Sequence, residues 1–342
     1  MRLNHRRKFI SAISALLFST LACRAATRLI IPDTPTPLLP TPNPPTAPFI
    51  LTVPVEASCP ALLSSIRDTS LSSPDNSEQN KDEEIYLATY LVDGDKISHP
   101  FYDSVPSDLK DEQDDHARHQ AIWDFFTRLI PLEQREFLSS YSIVTDGVGE
   151  VLAAVGQAEN NPEKWSLEVD ILDSEDDFAL TFTLLHEFAH LLTLNADQVP
   201  PSIPVFNHPD DDGIYQREAA ACPTYFPGEG CSNTGSYINE FFDTFWLDLY
   251  GEWQTVDSEQ DENKYHNLLD DFYETYQDQF LTDYAATNPA EDLAESFAFF
   301  VLSPKPDATS IADEKILFFH EFPELVDLRR ELANRICAEF PQ

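Results

Sequence analysis

Two histidines four residues apart with a glutamate between them, His186-Glu187-Phe188-Ala189-His190, stand inside an apolar run from Phe178 to Leu194. In a helix that spacing puts both imidazoles on one face, where they can hold a single metal ion, while Glu187, one step round, reaches water on that ion. The chemistry this predicts is hydrolysis at a catalytic zinc, with Glu187 as general base. The competing reading is a pair of hydrogen-bonded core histidines, and the intervening glutamate speaks against it.

The surrounding residues predict the helix that presents these groups. Ser174-Glu175-Asp176-Asp177 supplies an N-cap and an acidic first turn, and Asn195 is a C-terminal stop. Phe178, Phe182, Leu185, Ala189 and Leu192 make one apolar stripe, which Leu184, Phe188 and Leu191 widen beyond the share of a surface helix. The helix is therefore expected to be buried, with Thr183, His186, His190 and Thr193 as its polar strip. A hydrolytic zinc needs a third protein ligand and an open position for water. A second helix opens downstream, with Asn288 as N-cap and Pro289 at its first position, and its Glu291 and Glu295 share a face. Glu291 has an alternative reading: three residues after Asn288, it stands where a capping-box glutamate reaches back to the cap backbone.

Together the two segments resemble the anthrax lethal factor-like zinc metallopeptidases, zincins whose third ligand is a glutamate. That family follows its HExxH helix with Tyr-x-x-Thr-Asn-x-x-Glu-x-x-Ala-Glu, and here the second segment carries Tyr284, Thr287, Asn288, Glu291, Ala294 and Glu295 at matching spacing. The resemblance covers the residues around 181–194 and 284–299, under a tenth of the chain, and the two motifs lie further apart here than in the toxin. It implies an α+β, zincin-like metallopeptidase domain with a mixed sheet edging the cleft and the HExxH helix at the active site. It further implies Zn2+ held by His186, His190 and Glu291, with Tyr284 as the phenol that stabilises the transition state and a peptide or protein as substrate. Glu295 is either the acceptor behind a ligand imidazole or a charge on the helix face.

Other segments frame the site. Trp165 to Ile171 alternates apolar and polar residues, so a strand with one buried face is expected. By the resemblance it would edge the cleft and pair with extended substrate, and its alternative is an ordinary sheet strand. Glu84 to Ile97 predicts a hairpin turning at Asp93-Gly94. Asp114 to Ile130 predicts a helix stopped by Pro131, whose charge-flanked His116 and His119 are expected to be solvated. Two further helices are expected near Ser236–Tyr250 and Asn263–Gln279, their aromatics Phe241, Phe242, Phe245, Trp246, Phe272, Tyr273 and Tyr276 serving as core or lid packing. Asp210-Asp211-Asp212-Gly213 beside His208 lacks the spacing of a calcium loop and predicts a hydrated turn.

The N-terminus speaks to compartment. Arg2, Arg6, Arg7 and Lys8 precede an uncharged apolar stretch from Phe9 to Ala22, which predicts an export signal over residues 1–22. Arg6-Arg7-Lys8-Phe9-Ile10 resembles a twin-arginine motif, and Thr20-Leu21-Ala22-Cys23 resembles a bacterial lipobox with Cys23 as the lipidated residue. Cleavage by an ordinary signal peptidase, giving a secreted protein, is the alternative. Prolines recurring between Ile31 and Pro54 predict an extended tether over residues 23–56, ahead of a catalytic domain over residues 57–342. Ser64 to Asp82, rich in Ser, Asp, Glu and Asn, is expected to be weakly ordered. Four cysteines beyond Cys23 suit an exported chain. Cys222 and Cys231 bracket a Pro/Gly-rich loop and are the expected disulfide, leaving Cys59 with Cys337, and the spacing lacks the short repeats of a structural zinc site.

Sixty Asp and Glu against 21 Lys and Arg give a formal charge of −39, which excludes nucleic acid and anionic membrane surfaces as partners. Membrane attachment is thus expected through the N-terminal lipid alone, on the extracytoplasmic face of a bacterial cell membrane, with the domain a monomer. The expectation is a tethered zinc endopeptidase. Its rivals are a tethered binding protein on a zincin scaffold without turnover and a zinc amidase acting on cell-wall peptide.

Overall fold

Five segments pair into one mixed sheet in the computed structural model, which describes residues 59–70, 84–147 and 151–340. The strands are β1 (Ile85–Asp93), β2 (Lys96–Tyr102), β3 (Leu138–Thr145), β4 (Ala153–Ala158) and β5 (Asn161–Asp170), in the order β2-β1-β3-β5-β4. The β3–β5 pair is parallel and every other pair antiparallel. The expected hairpin joins β1 and β2, with Asp93 opposite Lys96 and Gly94 at φ 62°, a left-handed position that suits glycine. Trp165, Leu167 and Val169 of β5 are buried and alternate with less buried residues, as the sequence predicts. The export signal, Cys23 and the tether over residues 23–56 lie outside the described residues.

The place of β5 in the sheet corrects one expectation. It lies between β3 and β4, so its backbone is paired on both sides and cannot add a substrate strand. The edge on this side of the sheet is β4, which folds back on β5 through a two-residue turn at Glu159-Asn160.

Twelve α-helices accompany the sheet among the described residues. They are α1 (Pro60–Ser70), α2 (Lys110–Asp114), α3 (His116–Leu129), α4 (Asp177–Leu194), α5 (Ile203–Asn207), α6 (Asp212–Ala221), α7 (Tyr237–Phe241), α8 (Tyr250–Asp257), α9 (Glu262–Thr275), α10 (Pro289–Leu302), α11 (Ile311–Phe318) and α12 (Pro323–Glu339). The first of these corrects the weakly ordered reading for residues 64–70, which continue a helix whose Leu62, Leu63 and Ile66 are buried. The helix expected over Ser236–Tyr250 is interrupted: α7 passes into a π-turn at Phe242–Trp246, and α8 starts afresh at Tyr250. The next ends at Thr275, four residues before Gln279, and continues as a 3-10 turn. Phe241, Trp246 and Phe272 are core residues, with Trp246 and Phe272 stacked.

The site is carried by α4 and α10, which pack on each other and on α1. Asp176 caps α4 by accepting from the N–H groups of Phe178 and Ala179, and Asn288 caps α10 by accepting from those of Ala290 and Glu291. Rings interlock edge to face between the two helices, Phe188 with Phe297 at 5.9 Å and Phe182 with Phe299 at 6.0 Å. On α3, His119 overturns the expectation of a solvated imidazole. It is fully buried, with Nδ1 2.7 Å from the Tyr90 hydroxyl and Nε2 2.8 Å from the Glu112 carbonyl. Flanking charge misled there, because His119, Ile122 and Phe126 share one helical face. Asp211 is the N-cap of α6 rather than part of a calcium loop.

Both expected disulfides are formed, Cys59–Cys337 and Cys222–Cys231, which suggests an extracytoplasmic location. The first joins the residue before α1 to α12, across a sequence separation of 278. Among the described residues no helix is long and apolar enough to cross a membrane.

Candidate metal centre

His186 and His190 project from one face of α4 toward Glu291 in the first turn of α10. Nε2 of His186 lies 3.1 Å from Nε2 of His190 and 2.9 Å from Oε2 of Glu291, and His190 Nε2 is 3.3 Å from the same oxygen. The capping-box alternative for Glu291 is not formed: its backbone N–H binds Asn288 Oδ1, but its carboxylate turns to the histidines. Behind them Glu295 is buried, with Oε1 2.9 Å from His186 Nδ1 and Oε2 accepting from the Thr282 hydroxyl at 2.8 Å. It is thus an acceptor behind an imidazole rather than a charge on an open helix face.

These distances test whether the residues suit a metal. A His186 that donates Nδ1–H to Glu295 turns its Nε2 lone pair toward a second imidazole nitrogen and a carboxylate oxygen. Three electron-rich atoms facing one another need a cation among them. A tetrahedral zinc with ligands at about 2.0–2.1 Å spaces its donors about 3.3–3.4 Å apart, close to the separations here. Without a metal, protons serve instead. Burial disfavours charge on His186, yet its contacts with Glu291 and Glu295 hold it well above its ordinary value. Burial alone would raise Glu291, but the two imidazoles hold its carboxyl below the usual range.

Glu187 is also buried, its carboxylate within 4.8 Å of the ligand nitrogens of both histidines. Burial raises its pKa above the ordinary carboxylate range against the lowering effect of the imidazoles and of the Val155 N–H on edge strand β4. Tyr284 opens a 3-10 turn, Tyr284–Thr287, held by a hydrogen bond from the Trp253 indole to the Thr287 carbonyl. Its ring is 5.8 Å from that of His186. Half of its surface meets solvent, while the charge of Glu291 and then burial push the phenol well above its ordinary value.

Two neighbours were not foreseen. Thr282 fixes Glu295, and Glu229 stands near enough to His190 and Glu291 to feel their charge. A glutamate between glycines in a disulfide loop, Gly228-Glu229-Gly230, is the signal that would have found the latter. A second acidic grouping, Asp146, Asp170 and Asp173, lies elsewhere at the end of the sheet. Comparison with family models, with curated proteins and with solved structures finds no match to the chain.

Proposed function

We propose that the protein is an exported zinc-dependent endopeptidase with a zincin-type domain of the lethal factor-like kind, tethered through Cys23. The observation that carries this reading is the convergence of His186 Nε2, His190 Nε2 and Glu291 Oε2 within 3.3 Å of one another beside a buried glutamate. The mixed sheet with its antiparallel edge β4 packed near α4 supports the zincin assignment.

Zinc at this place supplies a Lewis acid that makes water acidic near neutral pH and polarises a carbonyl. The protein's own groups do the rest. Glu187, its pKa raised by burial, takes the proton from the attacking water and passes it to the leaving amine. The Tyr284 hydroxyl, kept protonated, donates to the developing oxyanion. Glu295 fixes the tautomer and orientation of His186. The free edge of β4 offers backbone groups to an extended peptide, with Val155 beside Glu187.

The test is metal content and cleavage together. The parent is expected to hold about one zinc per chain, Glu291→Ala to lose it, and Glu187→Gln to keep zinc and fold while losing cleavage of a peptide mixture. A folded Glu291→Ala protein with full zinc overturns the ligand set, and full cleavage by Glu187→Gln overturns the mechanism.

A further inference from the structure

His186 and Tyr284 come to the metal centre from different elements, α4 and the turn before α10, yet both lead back to one buried hydroxyl. Thr282 Oγ1 stands 2.8 Å from Glu295 Oε2 and 3.1 Å from the backbone nitrogen of Ala285. Thr282, Ala285, Glu295 and His186 are all buried. A backbone N–H can only donate, so the hydroxyl oxygen accepts from Ala285 and its single proton goes to Glu295. The other oxygen of that carboxylate, Oε1, faces His186 Nδ1 at 2.9 Å. The bonds therefore run in one direction, from the Ala285 N–H through the Thr282 hydroxyl to Glu295, which receives the Nδ1–H of His186 on its far oxygen.

Each end of this chain of bonds fixes a different part of the site. With both oxygens engaged, the plane of the Glu295 carboxylate is set, and with it the ring of His186, whose Nε2 faces His190 and Glu291. Without the threonine proton, Oε2 would be a buried carboxylate oxygen with no partner, and the group would turn about its last bond to find one, loosening its hold on Nδ1. At the other end, Ala285 directly follows Tyr284. Its bond to Thr282, and that of the Tyr284 N–H to Asp283 Oδ1 at 2.9 Å, hold the start of the 3-10 turn, while the Trp253 indole holds the Thr287 carbonyl at its end. Half-exposed Tyr284 is thus carried on backbone pinned at both ends, with its ring 5.8 Å from that of His186.

A threonine that only closed the turn would need to accept the Ala285 N–H and nothing more. Its donation to Glu295 is the part that a cap does not require. We infer that Thr282 is a positioning residue of the metal centre, whose hydroxyl ties the acceptor behind His186 to the turn that carries Tyr284, so that ligand and phenol are set together. The Tyr284 half of this role rests on the peptidase reading, whereas the His186 half is read from metal binding without turnover.

Thr282→Val in the full chain matches the shape and removes the hydroxyl, and Thr282→Ser keeps it. Zinc affinity, measured by competition with a chelator on the folded proteins, is expected to fall about tenfold in the valine variant and to return to within about twofold of the parent in the serine variant. Proton NMR of the zinc-loaded proteins should show the His186 Nδ1–H exchanging slowly with water in the parent and the serine variant and rapidly in the valine variant. A hydroxyl that served only as a cap would change the melting temperature and leave both readouts as in the parent. Unchanged or raised zinc affinity in folded Thr282→Val, or a serine variant as weak as the valine one, overturns the proposal. If the valine variant does not fold, Thr282→Ala takes its place, and a parent whose Nδ1–H exchanges freely overturns the proposal without any variant. At saturating zinc, kcat should fall in Thr282→Val with KM unchanged, because Tyr284 acts in the transition state, and the parent's kcat there overturns the Tyr284 half. Zinc affinity lost in valine and restored in serine, in a protein that cleaves no peptide, keeps the role of Thr282 at His186 and retires the peptidase. A parent that cleaves peptide and a valine variant that binds zinc and cleaves equally well keep the peptidase and retire the proposal.

Discussion

Replacing Lys315 by methionine should destabilise the protein strongly, and by an amount that depends on pH. Lys315 on α11 and Asp292 on α10 are both fully buried, with Nζ 2.6 Å from Oδ2. The Trp246 indole donates to the same oxygen at 2.7 Å, and Nζ lies 4.1 Å from the centre of the Phe280 ring. Burial pushes Asp292 above its ordinary value and Lys315 below, each only partly opposed by the other. Methionine fills the volume of the lysine stem but leaves the carboxylate with the indole alone, and removing one partner of such a pair costs about 3–5 kcal/mol. For a chain of this size that is a fall in melting temperature of roughly 6–20 °C. The sign with pH follows from the raised Asp292. Between the ordinary carboxylate pKa and the raised one, the folded state holds more protons than the unfolded, so this group's contribution is present in acid and lost as pH rises through that window. Losing the cation widens the window, so parent and variant should converge in acid and diverge toward neutral pH. Asp292→Asn combined with Lys315→Met should recover most of the loss, because no charge is then buried. Thermal denaturation of the four proteins across pH is the assay. A loss below about 1 kcal/mol for Lys315→Met, or a double variant as unstable as the sum of the singles, would refute the argument.

Glu295→Gln keeps an acceptor for His186 Nδ1 but removes its charge, so zinc affinity is expected to fall about 10–100-fold with little change in metal-free stability. Competition with a chelator measures this, and unchanged affinity would remove Glu295 from any role in tuning the ligand. Converting Cys59 and Cys337 to serine releases a closed loop of 278 residues and should cost on the order of 5 kcal/mol. The parent treated with reductant should melt near that variant, and a variant as stable as the oxidised parent would mean that the packing of α1 and α12 suffices.

What could be read from the chain was local. The caps at Asp176 and Asn288 and the buried stripe of α4 depend on a few neighbouring residues, so their elements stand where the spacing put them. The alternation of β5 was legible but its position was not, since pairing with β3 and β4 is decided by segments elsewhere in the sequence. His119 shows a local signal overruled by another: charges beside it suggested water, while the helical repeat with Ile122 and Phe126 turned it inward. A Glu291 that closes a capping box and one that turns to the histidines have the same sequence signature, and the distance to His186 shows which of the two is formed. Asp257, at the end of α8, carries no sequence mark of burial, because what covers it is brought there by tertiary packing.

The bond between Cys59 and Cys337 also changes what a peptide cut can do. Every residue between them lies on a covalent ring, so a single nick there opens the ring without dividing the molecule. A chain clipped once between the two motifs would keep the halves bearing His186 and Glu291 joined. Such clipped chains would migrate as one species until reduced, and as two afterwards.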